Sequence, residues 1–240
     1  MSLSQIFDSI YRTGFWKDKT HPSSLSGSGS SPENARPYVN FVRNIASSQN
    51  SKRVLDVGHG DFEMWRDWQF TGIDYLGVDI SSEATSLAQS NFPGANLRFI
   101  TLDLTQNEFI PDADLLLSKD CLQHLPNQVA LLLLQKFSSY GHVVICNDVS
   151  VDFKSRISSL AYYLRPMSRI RALLNFKSPF FFVNGRNNAD IQAGDHRCLN
   201  LEIEPFVEAL SGHELVETFD YDGPYRAGIK KRVYYYKKRQ

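Results

Sequence analysis

The sequence predicts an α/β fold built on a doubly wound, mostly parallel β-sheet that ends in an antiparallel hairpin. Five short apolar runs occur between residues 53 and 147, with helical segments among them. This pattern is typical of strands buried on both faces of a parallel sheet. Two more strand candidates, at 215–221 and 232–237, are joined by a loop too short for a crossover helix. We therefore expect that last pair to be antiparallel.

The composition is that of a globular domain. The chain has 240 residues, 42% hydrophobic and 22% charged, which fits one domain with an insertion and excludes extensive disorder. No apolar run approaches the roughly 20 residues that span a bilayer, and the first residues lack the pattern of a signal peptide. The three cysteines, Cys121, Cys146 and Cys198, have neither disulfide-framework nor zinc spacing. We expect a reducing, cytoplasmic location and no metal.

The first 50 residues form a lead-in before the sheet. Residues 4–15 are a helix candidate, and residues 21–37 are rich in Ser, Gly and Pro, a composition that by itself indicates a flexible linker. A Ser-Pro-Glu sequence at 31–33 is a good helix start. The sequence thus predicts an N-terminal helical cap at 1–50, followed by an α/β domain at 51–240.

The strand candidates of the sheet end in turns that suit a ligand. They are 53–57, 75–80, 97–103, 113–118 and 142–147, with helix candidates at 82–91 and 127–139. Ligands of open parallel sheets bind beyond the carboxyl ends of the strands. The first strand ends in Gly58-His59-Gly60, and glycines let the backbone turn sharply and approach a ligand closely. Glu63 occupies the position of the third glycine of a dinucleotide fingerprint, which disfavours NAD.

Acids end the second and third strands. Asp79 is placed to accept both hydroxyls of a ribose, and Asp103 to accept hydrogen bonds from an adenine amine. A helix N-cap is the alternative role for each acid. Three acids after three consecutive strands, counting Asp56, favour a ligand site over capping alone.

Together these motifs resemble class I S-adenosylmethionine (SAM)-dependent methyltransferases. The motifs are Val54-Leu55-Asp56-Val57-Gly58-His59-Gly60, Gly77-Val78-Asp79 and Leu102-Asp103. The resemblance implies a Rossmann-like seven-stranded sheet with helices on both faces, and SAM as the cofactor, leaving S-adenosylhomocysteine (SAH) as product. It implies that the cofactor contacts the strand ends: Asp56, Gly58, Gly60, Asp61, Phe62, Asp79, Ile80, Asp103, Leu104, Ser118 and Lys119.

A narrower resemblance involves the segments at 60–62, 119–125 and 188–197, and the Ser-Gly-Ser-Gly-Ser stretch at 26–30. They are similar to a little-characterised branch of bacterial methyltransferases associated with glycan or surface-polysaccharide modification. This resemblance implies that the 26–30 stretch folds over the cofactor instead of acting as a linker, with Gly27, Gly29 and Ser30 near SAM. The sequence departs from that branch at His59 and in the order Glu-Met-Trp at 63–65.

Two residues after the fourth strand are candidates for catalysis. Methyl transfer to a hydroxyl needs alignment, exclusion of water and removal of a proton. His124 is the predicted general base because the pKa of a histidine lies close to neutrality. Asp120, four residues earlier, is predicted to orient His124 or to contact the acceptor. The alternative is that His124 only packs at the start of the next helix.

A second polar cluster follows the fifth strand. Carboxylate and amide oxygens accept hydrogen bonds from sugar hydroxyls, and Arg suits a carboxylate or phosphate. We therefore expect an acceptor-binding role for Asn188, Asp190, Asp195, His196 and Arg197. A self-contained loop network and a metal site are the alternatives, and the metal alternative has no diagnostic spacing.

Charge is unevenly distributed along the chain. Residues 1–150 carry 11 Lys and Arg against 16 Asp and Glu, and residues 151–240 carry 15 against 10. A basic insertion at about 151–187 mixes arginines with apolar residues. It suits an anionic membrane surface, a lid over an anionic substrate, or packing and dimerisation. Nucleic acid is disfavoured because the overall charge is zero and no known module is present.

The sequence therefore predicts a SAM-dependent methyltransferase whose acceptor is a hydroxyl of a sugar or glycan precursor. A small-molecule or lipid acceptor is one alternative, and a SAM-binding partner protein without activity is another. The location is predicted to be cytoplasmic, with peripheral membrane attachment left open. The sequence does not indicate an oligomeric state.

Overall fold

The computed structural model describes residues 1–17, 24–106, 111–151, 187–224 and 228–239. Nearly all of the predicted basic insertion lies outside these residues. The helices are α1 (Leu3–Thr13), α2 (Pro32–Ser48), α3 (Ser82–Asn91) and α4 (Asn127–Phe137). The strands are β1 (Arg53–Val57), β2 (Asp74–Asp79), β3 (Leu97–Thr101), β4 (Leu115–Lys119), β5 (His142–Ser150), β6 (His213–Tyr221) and β7 (Ile229–Lys238).

The seven strands form one sheet in the order β3-β2-β1-β4-β5-β7-β6. The pairs from β3 to β5 are parallel, whereas β7 runs antiparallel to both β5 and β6. The predicted Rossmann-like sheet with its terminal antiparallel hairpin is thus confirmed. The strand order reverses between β1 and β4, and that switch point is where open α/β sheets bind ligands.

Apolar side chains cover both faces of the sheet. On one face, Leu55 and Val57 of β1 join a core with α1 and α4. On the other face, Val54 joins a core with α2 and the aromatic residues near Trp65. Neighbouring side chains of a strand point to opposite faces, so the two cores alternate along β1. No helix among the described residues is long and apolar enough to cross a membrane.

Local sequence signals set the ends of the N-terminal helices. Helix α1 starts with a capping box, in which the Ser2 hydroxyl accepts from Gln5 N and the Gln5 side chain accepts from Ser2 N. Helix α2 starts where the sequence predicts, with Ser31 as N-cap and Pro32 in the first turn. These two helices lie against opposite cores, and the described part of the Ser/Gly stretch connects to α2 through a short 3₁₀ turn at 28–30.

Candidate active site

A cavity lies at the carboxyl ends of β1, β2, β3 and β4. The space between its walls, counted together with the solvent at its mouth, is about 910 Å³. Its floor is formed by strand ends, and its roof includes Leu3, Phe7 and Tyr11 of α1 and Trp16 after it. The N-terminal segment therefore covers the site at the switch point of the sheet.

The turn after β1 is shaped by two glycines. Gly58 has φ +79° and Gly60 has φ +62°, a backbone region that other residues enter at a cost. A Cβ atom at Gly58 would lie 2.7 Å from the Cys121 side chain, and one at Gly60 would lie 2.4 Å from Ser26 Oγ. Neither position can hold a side chain without displacing a neighbour, which keeps the backbone of this turn bare along the cavity wall.

The acids after β2 and β3 both line the cavity. Asp79 Oδ2 accepts a hydrogen bond from Gly60 N at 3.0 Å, and Oδ1 accepts one from Ser81 N at 2.9 Å. Each carboxylate oxygen can accept a second hydrogen bond, so this contact set is compatible with a ribose. Asp103 Oδ1 accepts from the backbone and hydroxyl of Thr105, at 2.8 and 2.6 Å, which also gives that acid a turn-forming role.

Asp61 docks the N-terminal segment onto the glycine turn. Its Oδ2 accepts hydrogen bonds from Ser24 Oγ at 2.9 Å, Leu25 N at 2.5 Å and Ser26 N at 3.1 Å. Ser26 Oγ in turn accepts from Asp61 N at 2.9 Å, and Tyr11 OH lies 2.9 Å from the same hydroxyl. The Ser/Gly stretch is thus fixed over the turn by a buried carboxylate.

Most of the predicted cofactor residues line the cavity, and the others do not. Those at the cavity are Gly58, Gly60, Asp61, Asp79, Ile80, Asp103, Leu104, Lys119 and Ser30. Those outside it are Asp56, Phe62, Ser118, Gly27 and Gly29. In this structure, the residues of the second group do not line the cavity.

The reason differs from residue to residue. Phe62 packs among aromatic rings of the second core, including Phe99 at a centroid distance of 4.9 Å. Ser118 Oγ donates to Val57 O at 3.1 Å and so ties two strands together. Gly29 turns its carbonyl to Lys119 Nζ at 2.8 Å, and Gly27 begins the 3₁₀ turn of the same stretch.

The side chains of Leu55 and Val57 point to the face of the sheet on the side of the cavity. Because neighbouring side chains of a strand point to opposite faces, Asp56 points away from the cavity. Its Oδ2 accepts from Tyr75 OH at 2.7 Å and from Trp65 Nε1 at 2.9 Å. The side chain is fully buried, and this burial raises the pKa of Asp56 to about 6 despite the two hydrogen bonds. Asp56 is therefore a buried acid behind the site.

This acid predicts a pH-dependent stability. A carboxyl whose pKa is raised in the folded state destabilises the fold once it ionises, so stability falls as pH rises from about 4 through about 6. At pH 8 the ionised group costs up to about 3 kcal/mol. We expect Asp56→Asn to remove most of the loss in the free energy of unfolding that Asp56 causes between pH 5 and pH 8. Urea unfolding at both values measures it.

The matched control is Asp74→Asn, at the exposed start of the neighbouring strand. That variant should keep the wild-type pH dependence. An Asp56→Asn chain with the same pH dependence as the wild type would show that Asp56 ionises without cost.

His124 lies at the cavity, at the end of a 3₁₀ turn over 122–124. Its Nδ1 lies 2.9 Å from the Asp195 carbonyl oxygen. A carbonyl only accepts, so Nδ1 carries the hydrogen and Nε2 carries the lone pair. Its ring packs on Trp16 at a centroid distance of 4.5 Å. Burial, reinforced by the neighbouring His196, lowers the pKa of His124 to about 3, which keeps this imidazole neutral.

Asp120 does not orient His124. Its carboxylate is bound by the ammonium groups of Lys119 and Lys231, the latter at 2.6 Å. Burial alone would raise the pKa of Asp120, but these two ammonium groups hold it well below the usual range. The Asp195 backbone carbonyl takes the orienting role that was predicted for Asp120. Asp120 itself lines the cavity with φ +54°.

The polar cluster after β5 holds the loop together more than it faces a ligand. Arg197 is buried, and its guanidinium donates to Leu125 O at 2.5 Å. Burial lowers the pKa of Arg197 to about 10. Asn188 Nδ2 donates to Asn200 O at 2.8 Å. Arg197 and Asn188 were expected to bind the acceptor, but in this structure their polar groups hold the backbone of the loop and of the turn beside it.

The remaining members of the cluster differ in role. Asp190 Oδ1 accepts from Asn127 N at 2.8 Å and so caps α4. Asp195 supplies the carbonyl that holds His124, while its own side chain is exposed. His196 Nε2 lies 2.7 Å from Asp148 Oδ2 and its ring lies 5.5 Å from that of His124. Within the described residues, no group of three His, Cys, Asp or Glu could hold a metal ion.

Several residues at the site were not predicted. Trp16 and Tyr11 line the cavity, and their aromatic character on an amphipathic lead-in helix was the available signal. Asp148 and Lys231 form a buried ion pair at 2.8 Å. No local signal reveals that pair, because its members come from strands far apart in the chain.

Comparison with known families agrees with this geometry. The family model described as a methyltransferase domain matches residues 55–137, the segment from β1 to α4 that forms the cavity floor. The chain carries a methyltransferase domain. The predicted enzyme class, a SAM-dependent methyltransferase, and the predicted cofactor are thereby confirmed. No curated protein sequence matches the chain.

Solved structures share the fold of this methyltransferase at low sequence identity. The magnesium protoporphyrin IX methyltransferase of Synechocystis PCC 6803, with bound SAH, has a TM-score of 0.61 and 15% identity over 99% of this chain and 100% of that one. The 1,6-didemethyltoxoflavin-N1-methyltransferase of Burkholderia thailandensis has a TM-score of 0.61 and 17% identity over 99% and 88%. The N-methyltransferase NodS of Bradyrhizobium japonicum WM9 has 0.56 and 12% over 88% and 89%.

Proposed function

We propose that this methyltransferase transfers the methyl group of SAM to a hydroxyl of a small acceptor, a sugar or glycan precursor. The observation that carries the proposal is the cavity at the switch point, which has the glycine turn and Asp79 at one part of its wall and the His124–Trp16 pair at another. The first part fits a nucleoside, and the second offers a neutral imidazole.

The residues at the cavity fit SAM. Gly58 and Gly60 leave room where a Cβ would collide with neighbours, and Asp79 keeps acceptor capacity for ribose hydroxyls. Ile80, Leu102 and Leu104 add apolar wall, which suits the faces of an adenine ring. SAM supplies an activated methyl group on a sulfonium. The chain binds the cofactor, excludes water beneath α1 and positions the acceptor.

His124 is the proposed proton acceptor. Its hydrogen is committed to the Asp195 carbonyl, so its lone pair on Nε2 is available to a proton. A pKa near 3 makes it a weak base toward a free hydroxyl. It becomes strong enough as the oxygen–methyl bond forms, because the hydroxyl proton is by then far more acidic than an imidazolium ion, so proton removal accompanies methyl transfer.

The choice of a sugar acceptor is supported by two features. The segments at 60–62, 119–125 and 188–197 resemble the branch associated with glycan modification. The ring of Trp16, partly exposed at the cavity, offers a flat apolar surface that suits the C–H face of a sugar ring. Acceptors with amine or heterocyclic nitrogens are the alternatives that an acceptor screen distinguishes.

The cofactor half of the proposal is tested by Asp79→Ala. We expect SAM and SAH binding, measured by calorimetry, to weaken by about 10²-fold or more, since two hydrogen bonds to a charged acceptor are lost. Asp74→Ala is the matched control, because it removes an exposed acid from the opposite end of the same strand. That control should bind like the wild type, and NAD should not bind to either.

An acceptor screen completes the test. Nucleotide sugars, glycolipids and small amines are incubated with the wild-type chain and SAM, and products are located by mass spectrometry and NMR. A methyl group on a sugar oxygen supports the proposal. Methylation on nitrogen would overturn the hydroxyl assignment, and wild-type binding in Asp79→Ala would overturn the cofactor site.

A further inference from the structure

A charge network of Lys119, Asp120, Lys231, Asp148 and His196 runs beside the cavity. Lys231 of β7 is 1% exposed, and its Nζ lies 2.6 Å from Asp120 Oδ1 and 2.8 Å from Asp148 Oδ1. Asp120 also pairs with Lys119, and Asp148 Oδ2 lies 2.7 Å from His196 Nε2. Lys231 is thus the member that links the two carboxylates.

The charges of this network balance only when Lys231 is present. Two ammonium groups face two carboxylates, of which Asp148 is fully buried and Asp120 is 11% exposed. Removing one partner of a buried ion pair leaves an uncompensated charge away from water. Apolar residues of similar volume would pack a strand at less desolvation cost, so the arrangement calls for a reason beyond stability.

One end of the charge network belongs to the cofactor half of the site. Asp120 and Lys119 line the cavity, and Lys119 Nζ donates to the Gly29 carbonyl at 2.8 Å. A Cβ at Gly29 would lie 3.0 Å from Asp120 Oδ2 and 3.2 Å from Lys231 Nζ. The Ser/Gly stretch over the cavity therefore rests directly on these charged groups.

The other end belongs to the acceptor half. Asp148 is paired with Lys231 in the register of β5 and β7, and it holds His196. The residue before His196 supplies the carbonyl that fixes His124. The loop around 195–197 is thereby attached to the same ammonium group as the cavity wall.

We infer that Lys231 is a positioning residue for methyl transfer, which couples the cofactor-covering stretch at Gly29 to the loop that holds His124. This inference rests on the proposed function. Lys231 acts through Asp120 on one side and through Asp148 on the other. Its loss releases both sides from one another.

The test measures SAH binding by calorimetry in Lys231→Met, together with a circular dichroism spectrum of each variant. We expect SAH affinity to fall by about tenfold or more, the size of a typical coupling between sites. Lys231→Arg should recover most of the affinity, because a guanidinium can also bridge two carboxylates. Lys230→Met is the matched control, since its neighbouring ammonium pairs with the exposed Asp222, and it should bind like the wild type.

A second variant covers the case in which Lys231→Met does not fold. Lys231→Met/Asp148→Asn restores charge balance, keeps the Lys119–Asp120 pair and cuts the link between the halves. It should fold and still bind SAH about tenfold more weakly than the wild type. Binding within threefold of wild type in either folded variant would overturn the role of Lys231. A wild-type chain that does not bind SAH would instead refute the proposed function.

Discussion

Replacing His124 with asparagine is expected to lower kcat by about 10²-fold or more, the usual contribution of a positioned general base. Asparagine can still donate a hydrogen bond to the Asp195 carbonyl, which His124 Nδ1 now does. It lacks a basic nitrogen in place of Nε2. SAH affinity should therefore change little while turnover collapses, and steady-state kinetics with an acceptor from the screen measures the separation.

The pH profile gives an independent check on the same residue. Because the pKa of His124 is lowered to about 3, its base form persists as pH falls from 8 to 5, and His124 should cause no loss of kcat in that range. The control for the His124→Asn variant is His142→Asn, which replaces a histidine at the start of β5 whose ring stacks on Tyr235. Unchanged turnover in His124→Asn would remove His124 from the mechanism.

Gly58→Ala is expected to destabilise the chain by roughly 2–5 kcal/mol and to abolish SAH binding. Two effects add. A residue with a Cβ is strained at φ +79°, at about 1–2 kcal/mol. The new Cβ would also lie 2.7 Å from both Cβ and Sγ of Cys121, an overpacking that costs about 1–3 kcal/mol. Urea unfolding and calorimetry measure the two losses.

Gly72→Ala separates the two contributions. Gly72 has φ +73°, close to that of Gly58, but a Cβ there would meet no atom within 4 Å. This variant should therefore show the backbone strain alone and retain SAH binding. If both variants lose the same stability, the contact with Cys121 is too soft to matter, and the bare backbone of the glycine turn is not what the site requires.

Features that depend on neighbouring residues were predictable from the sequence. The five apolar runs and the two strand candidates near the C-terminus correspond to the seven strands of the sheet, and the Ser31-Pro32 start of α2 lies where capping chemistry places it. The glycine turn and the acids Asp79 and Asp103 reached the cavity, because the carboxyl ends of parallel strands share one edge of the sheet.

Features that depend on which face a side chain takes were less predictable. Asp56 stands in the same motif as Gly58 and Gly60, yet it points into the core with Tyr75 and Trp65. A shift of one residue along a strand reverses the face. The polar loop after β5 was predicted to bind an acceptor, but the side chain of Arg197 holds the Leu125 carbonyl instead.

By itself, the sequence determined the fold class, because hydrophobic period, helix caps and glycine turns are local and are written in consecutive residues. The enzyme class followed from the resemblance of its motifs to known methyltransferases. The tertiary structure alone decided which charges meet. Asp148 and Lys231 are separated by most of the C-terminal third of the chain and pair only because β7 inserts between β5 and β6. Strand register is a non-local property, set by the packing of whole elements, and here it joins the two halves of the site.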